Sequence, residues 1–192
     1  MWLEAFRAKY DGNGTPFERT EFDQLLGHCQ AVCDGPATCL TLELLEAYPD
    51  AKVVLSNRDV DAWQYSVMNA VIKNIFTPKA ISLDWLARIT GSPNRWTRSM
   101  FVRVFTDGYQ GDFEKNGKKG YQEHYDMVRA LVPPENLLEY HVEERWRLLC
   151  KFLGKEQPMT EFPNGNTKEE LERRIGAVVT SEIKQLKRII FI

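Results

Sequence analysis

The chain has 192 residues, with 25 basic against 27 acidic side chains, a formal charge of −2 and a pI near 6.0. That near-balance excludes nucleic-acid binding by overall charge, which needs a basic excess or a basic stripe. A hydrophobic content of 43% with 11% aromatic residues excludes disorder and suffices for a compact core in one domain over residues 1–192.

The apolar runs are far shorter than the roughly 20 residues that span a membrane. The opening MWLEAFRAKYDG carries Glu4 and no apolar core of a secretory signal, so the expected location is cytoplasmic, without membrane association. Cys29, Cys33, Cys39 and Cys150 show no C-x-x-C spacing and no adjacent histidine cluster, so no metal site is expected. Reduced thiols, mostly packed as small hydrophobes, are the expectation instead.

Met1 to Tyr10 places Trp2, Ala5 and Phe6 at helical spacing, and Asp11 to Pro16 breaks the pattern. A short helix follows with Phe22, Leu25 and Leu26 on one face and Gly27 as its stop. Gln30–Cys33 reads as a brief buried strand ending at Asp34-Gly35-Pro36, where Pro36 suits the first turn of a helix carrying Leu40, Leu44 and Ala47. Lys52–Ser56 is a near-continuous apolar run between two helices, the pattern of a central parallel strand. After the turn Asn57-Arg58-Asp59, a helix starts with Asp59 as N-cap and Val60, Trp63, Val67 and Val71 as its buried stripe.

Pro78 to Pro93 reads as irregular or weakly helical. Helical spacing resumes at Met100, Phe101, Val104, Phe105 and Tyr109, then at Tyr121, Tyr125, Val128 and Leu131 before Pro133-Pro134. Leu137–His141 reads as another parallel strand, and Trp146, Leu149, Cys150 and Leu153 form a helix face that Gly154 ends. The last helix opens on a capping box, Thr167 with Glu170, and runs through Leu171, Ile175, Val179 and Ile183. The ending Arg188–Ile192 is too short for a membrane anchor. Strands alternating with helices predict an α/β sandwich with a parallel sheet, one strand short of a usual open sheet.

Gly111 to Lys119 imitates a phosphate loop, but its glycines are one residue too far apart and Lys119 stands where a Ser or Thr must meet a metal. It reads as a solvated loop. No GxGxxG and no GxSxG occur. Arg58 stands at the carboxyl end of the strongest strand, where open α/β sheets hold ligands, and its guanidinium can fork onto a phosphate. Ser66 follows on the next helix and offers a second grip; the competing reading pairs Arg58 with Asp59 or Asp61. Asp34 ends the preceding strand, either as a general base or as a turn residue before Gly-Pro. His124, beside Tyr121 and Tyr125, reads as a core or boundary residue.

The runs Ala31-Val32-Cys33-Asp34-Gly35-Pro36 and Tyr48-Pro49-Asp50-Ala51-Lys52-Val53, with Arg58-Asp59, Trp63 and Ser66, resemble the sulfotransferase-like P-loop family abundant in fungi. His124, Val128-Arg129, Val132-Pro133, Leu137–Tyr140, Trp146, Phe152-Leu153-Gly154 and Phe162-Pro163 extend the likeness over most of the chain. The resemblance implies a three-layer P-loop-type sandwich and transfer of a sulfuryl group from 3′-phosphoadenosine 5′-phosphosulfate (PAPS) to a small hydroxylated metabolite, without a metal. It implies that Arg58 and Ser66 hold the 3′-phosphate and that Asp34 is the base, a carboxylate where many relatives have His.

Such relatives open on a strand and a glycine-containing loop that hold the phosphosulfate, and the sequence carries neither. The implied protein is N-terminally truncated, lacking its first strand and phosphate loop, with transfer slowed by about 10²–10³ per lost donor. An open sheet edge would then favour self-association. The alternatives are a non-catalytic remnant or interaction protein, and a family member diverted to a PAPS-independent step of secondary metabolism.

Overall fold

The computed structural model describes residues 1–165 and 168–190. The helices are α1 Trp2–Asp11, α2 Arg19–Leu26, α3 Gly35–Cys39, α4 Thr41–Ala47, α5 Val60–Val67, α6 Lys73–Ile75, α7 Pro78–Thr90, α8 Thr97–Gly108, α9 Phe113–Leu131, α10 Arg145–Leu153 and α11 Lys168–Ile190. The strands are β1 Val53–Ser56 and β2 Leu137–Tyr140. They pair in parallel with Val53 opposite Leu137 and Ser56 opposite Tyr140. The chain is thus mostly helical with a small parallel sheet, in keeping with an α/β fold. Among the described residues no helix is long and apolar enough to cross a membrane.

The contacts divide the chain into two compact units, Met1–Gln64 with Arg103–Phe162, and Tyr65–Val102 with Pro163–Ile192. In the first unit the sheet is covered by α9. Leu55 packs on Tyr125, Val128 and Val132, with Val53, Leu45 and Leu137 around them. Phe6 of α1 and Phe22 of α2 are wholly buried. Gly35 lets α3 approach α8: a Cβ there would stand 3.0 Å from a Val104 methyl. Trp63, Tyr109, Phe113 and Tyr121 form an aromatic cluster at ring separations of 4.8–6.4 Å, worth about 0.5–1.5 kcal/mol per pair beyond burial.

In the second unit α7 packs against α11 and the 3-10 turn Pro93–Trp96. A buried carboxylate joins them. Glu182 of α11 is 1% exposed and accepts from Ser92 Oγ at 2.5 Å, Asn94 Nδ2 at 2.8 Å and Thr90 Oγ1 at 3.2 Å. Burial pushes this carboxyl up, and the three hydrogen bonds, outweighing it, bring it below the ordinary range.

Five expectations from the sequence are corrected. Gln30–Cys33 is not a strand but an exposed irregular segment; a β-competent sequence needs a neighbouring strand to satisfy its backbone, and none lies beside it among the described residues. Of the two readings of Pro78 to Pro93, irregular or weakly helical, the irregular one fails and the helix is firmer than expected, because α7 is sharply bounded: Thr77 Oγ1 caps Ala80 N, Pro78 takes the first turn and Gly91 closes the helix at φ 68°. Gly111 to Lys119 is not a solvated loop. Asp112 caps Lys115 N at 3.0 Å and α9 starts at Phe113, with Gly117 under the Phe113 ring.

The stripe from Val60 to Val71 is only half-buried, and a π-helical turn over Met68–Ile72 breaks its period. Of the cysteines, all free thiols, Cys150 is buried and Cys39 half-buried, but Cys29 and Cys33 are exposed, against the expectation of packed thiols. The capping role read for Thr167 and the reading of the terminal Phe191-Ile192 lie outside the described residues.

Candidate functional site

β1 delivers its carboxyl end into a polar cavity of about 420 Å³ lined by Asn57, Arg58, Asp59, Tyr121, Arg129 and His141, among others. The open ends of parallel strands gather ligands here because the chain turns away and leaves backbone groups pointing outward. Among the described residues the Arg58 guanidinium makes no hydrogen bond or ion pair; only the Arg58 backbone is engaged, by Tyr121. Both carboxylates that the competing reading offers it are engaged elsewhere. Asp59 Oδ1 caps α5 by accepting from Ala62 N at 2.7 Å, as the sequence predicts, and Asp61 pairs with Lys118.

Arg129, by contrast, is committed. It meets Glu139 with two hydrogen bonds, Nε to Oε1 at 2.7 Å and Nη2 to Oε2 at 2.8 Å. Asn57 Nδ2 adds a third at 2.7 Å. The Arg129 bonds foremost, then Asn57, hold the Glu139 carboxyl down at about 2. Tyr125 donates from its hydroxyl to Ser56 O and stacks on Tyr121 at 4.0 Å and 22°.

A second cleft, of about 1,020 Å³, runs beside β1 on all four of its residues and touches only Tyr140 of β2. Its far wall includes Ala31, Val32, Cys33 and Asp34, and α9 and α10 contribute His124, Val128, Leu149 and Leu153. Asp34 has φ 71° and ψ −172°, a backbone region that is nearly glycine's own. Its side chain makes no helix cap; Oδ2 accepts from Cys33 Sγ at 3.5 Å. Burial first, then the Asp34 charge, raise the Cys33 thiol. His124 is half-buried and held below its ordinary range by burial, as befits a boundary residue.

The predicted site residues are therefore dispersed. Arg58 lines the small cavity and Asp34 the large cleft, with Ser56 and Asn57, adjacent in sequence, lining one each. Ser66 is exposed on α5, belongs to the second unit and lines neither space. Among the described residues no group of three or more His, Cys, Asp or Glu side chains is placed to hold a metal. The residues that the sequence reading missed are Tyr121, Tyr125, Arg129 and Glu139. A signal was present, since two tyrosines four apart on one helix face bring two hydroxyls that need partners.

The sulfotransferase domain family matches residues 1–171. The chain belongs to that family. A further comparison finds a fungal relative: the chain is 38% identical over 168 residues to the Ava biosynthesis cluster protein M of Aspergillus versicolor. That match covers 85% of this chain and 64% of the relative, so the chain spans under two thirds of the relative's length.

Proposed function

We propose that this sulfotransferase-family protein binds the 3′-phosphate of PAPS with Arg58 and serves sulfuryl transfer to a hydroxyl of a small metabolite. The observation that carries this reading is the Arg58 guanidinium, without an ion-pair partner among the described residues, at the carboxyl end of β1 in a cavity of about 420 Å³. A phosphate dianion is the chemistry that a forked, permanently charged donor fits. PAPS supplies the sulfuryl group and leaves as adenosine 3′,5′-bisphosphate. The acceptor hydroxyl yields its proton to Asp34 as its oxygen forms the bond to sulfur. The strained backbone at Asp34 supports a role in function, since such strain persists where the surroundings impose it. The share given to Ser66 rests on the sequence resemblance.

The same reading makes the sheet part of a three-layer sandwich. A further parallel strand, with a glycine-containing loop that holds the 5′-phosphosulfate, would pair with the second edge of β1 and fill the apolar cleft. The relative's name places that protein in a biosynthesis cluster, and we assign this chain to secondary metabolism on that basis.

Calorimetric titration with adenosine 3′,5′-bisphosphate tests the reading. Binding is expected, weakened about 10–100-fold in Arg58→Ala, the worth of charge-assisted hydrogen bonds. No heat at millimolar ligand would overturn it.

A further inference from the structure

We propose that Tyr121 and Tyr125 are positioning residues: their hydroxyls clamp the turn after β1 so that it presents the Arg58 guanidinium to an anion. The inference rests on the assignment of Arg58 to a 3′-phosphate.

The turn is held at each of three consecutive residues. Tyr125 donates to Ser56 O. Asn57 donates from its backbone to Tyr140 O at 2.8 Å and from Nδ2 to Glu139 Oε2 at 2.7 Å, the carboxylate that Arg129 grips. The Tyr121 hydroxyl lies 3.4 Å from both Arg58 N, which donates to it, and Arg58 O, which accepts from it. The two rings, four residues apart on α9, stack on each other, so both hydroxyls leave the helix side by side toward one short stretch of backbone.

Core packing alone would be served equally by two phenylalanines. The hydroxyls instead satisfy backbone atoms of the turn that ends the sheet, while the guanidinium of the arginine in that turn has no hydrogen-bond or ion-pair partner among the described residues. A backbone fixed on three sides leaves only side-chain rotamers to be ordered when an anion binds, which is how preorganisation raises affinity. Freeing the turn would misplace the fork, and misplacement by about 1 Å is costly for a directional contact.

The test measures binding of adenosine 3′,5′-bisphosphate and of adenosine 5′-monophosphate, with thermal melts, to the whole chain. The proteins are the wild type, Tyr121→Phe, Tyr125→Phe, Arg58→Ala and the double variant Tyr125→Phe/Arg58→Ala. The wild type should prefer the bisphosphate, and Arg58→Ala should abolish the preference. Each Phe variant should weaken the bisphosphate about 3–10-fold, the worth of a neutral hydrogen bond, and leave the monophosphate unchanged. The double variant should be no weaker than Arg58→Ala alone. Equal losses for both ligands, or a full Tyr125→Phe effect in the Arg58→Ala background, would mean a merely structural role and overturn the positioning. A wild type without preference would overturn the Arg58 assignment itself, and the positioning with it.

Discussion

Asp34 is the residue where conformation and proposed chemistry pull apart. At φ 71° it sits where a side chain is strained at a cost of about 1–3 kcal/mol. Asp34→Gly should raise the thermal midpoint, by relief on the order of 1 kcal/mol, while removing the proposed base; Asp34→Ala should lose turnover with no gain in stability. A turnover of Asp34→Gly equal to wild type would remove Asp34 from the chemistry. Glu139 gives a pH signature. Its carboxyl ordinarily titrates near 4.5 and here near 2, so the folded state is favoured above 4.5 and that advantage is lost as pH falls from 4.5 through about 2. Carbon-detected NMR titration should place its midpoint well below those of its exposed neighbours, and Arg129→Ala should return it toward 4.5. The place of Arg58 just beyond the carboxyl end of β1 was legible in the sequence, because the apolar run Val53–Leu55 marks the strand that it follows. The tyrosines behind it were not, since spacing marks a helix face but cannot say which atom a hydroxyl will reach.

At the scale of elements, β1 and β2 were readable from their apolar runs, whereas Gln30–Cys33 carried the same local signal and is no strand. A strand is defined by its neighbour, and local sequence does not contain the neighbour. α7 shows the opposite failure. Its termini were written in Thr77-Pro78 and Gly91, but Ile81, Trp85 and Ile89 fall on one exposed row, 39%, 63% and 68% accessible, so the apolar pattern does not mark a buried face. Glu182 was invisible for a related reason: a glutamate in a charge-rich helix looks solvated until the fold brings Ser92 and Asn94 to it. Glu182→Ala should destabilise the second unit by about 2–4 kcal/mol, because it strands the buried Ser92 hydroxyl and the half-buried Asn94 amide; Glu182→Gln, which keeps an acceptor, should cost less. Thermal melts followed by tryptophan fluorescence, with Trp85 and Trp96 in that unit, would report it. Equal stability of the Ala variant and wild type would contradict a stabilising role for the buried Glu182 carboxylate.

For the whole molecule, a testable consequence attaches to the second edge of β1 along the large cleft, which pairs with no strand among the described residues. Unpaired strand edges recruit other chains, so the light-scattering mass should rise above 22.3 kDa with concentration. Val54→Lys, which sets a charge on that edge, should hold it at the monomer value. A concentration-independent monomer for the unmodified chain would discount the edge as a contact. The parallel register between Val53 and Leu137 has one more consequence, for biogenesis. During translation β1 emerges about 80 residues ahead of its mate, an interval on the order of 4–16 s at ordinary elongation rates. Throughout that time its valines and leucine wait without the partner that will bury them, and closing so wide a separation slows folding further. The nascent protein is therefore most exposed to chaperones and to aggregation while the ribosome is still reading the stretch between its two strands.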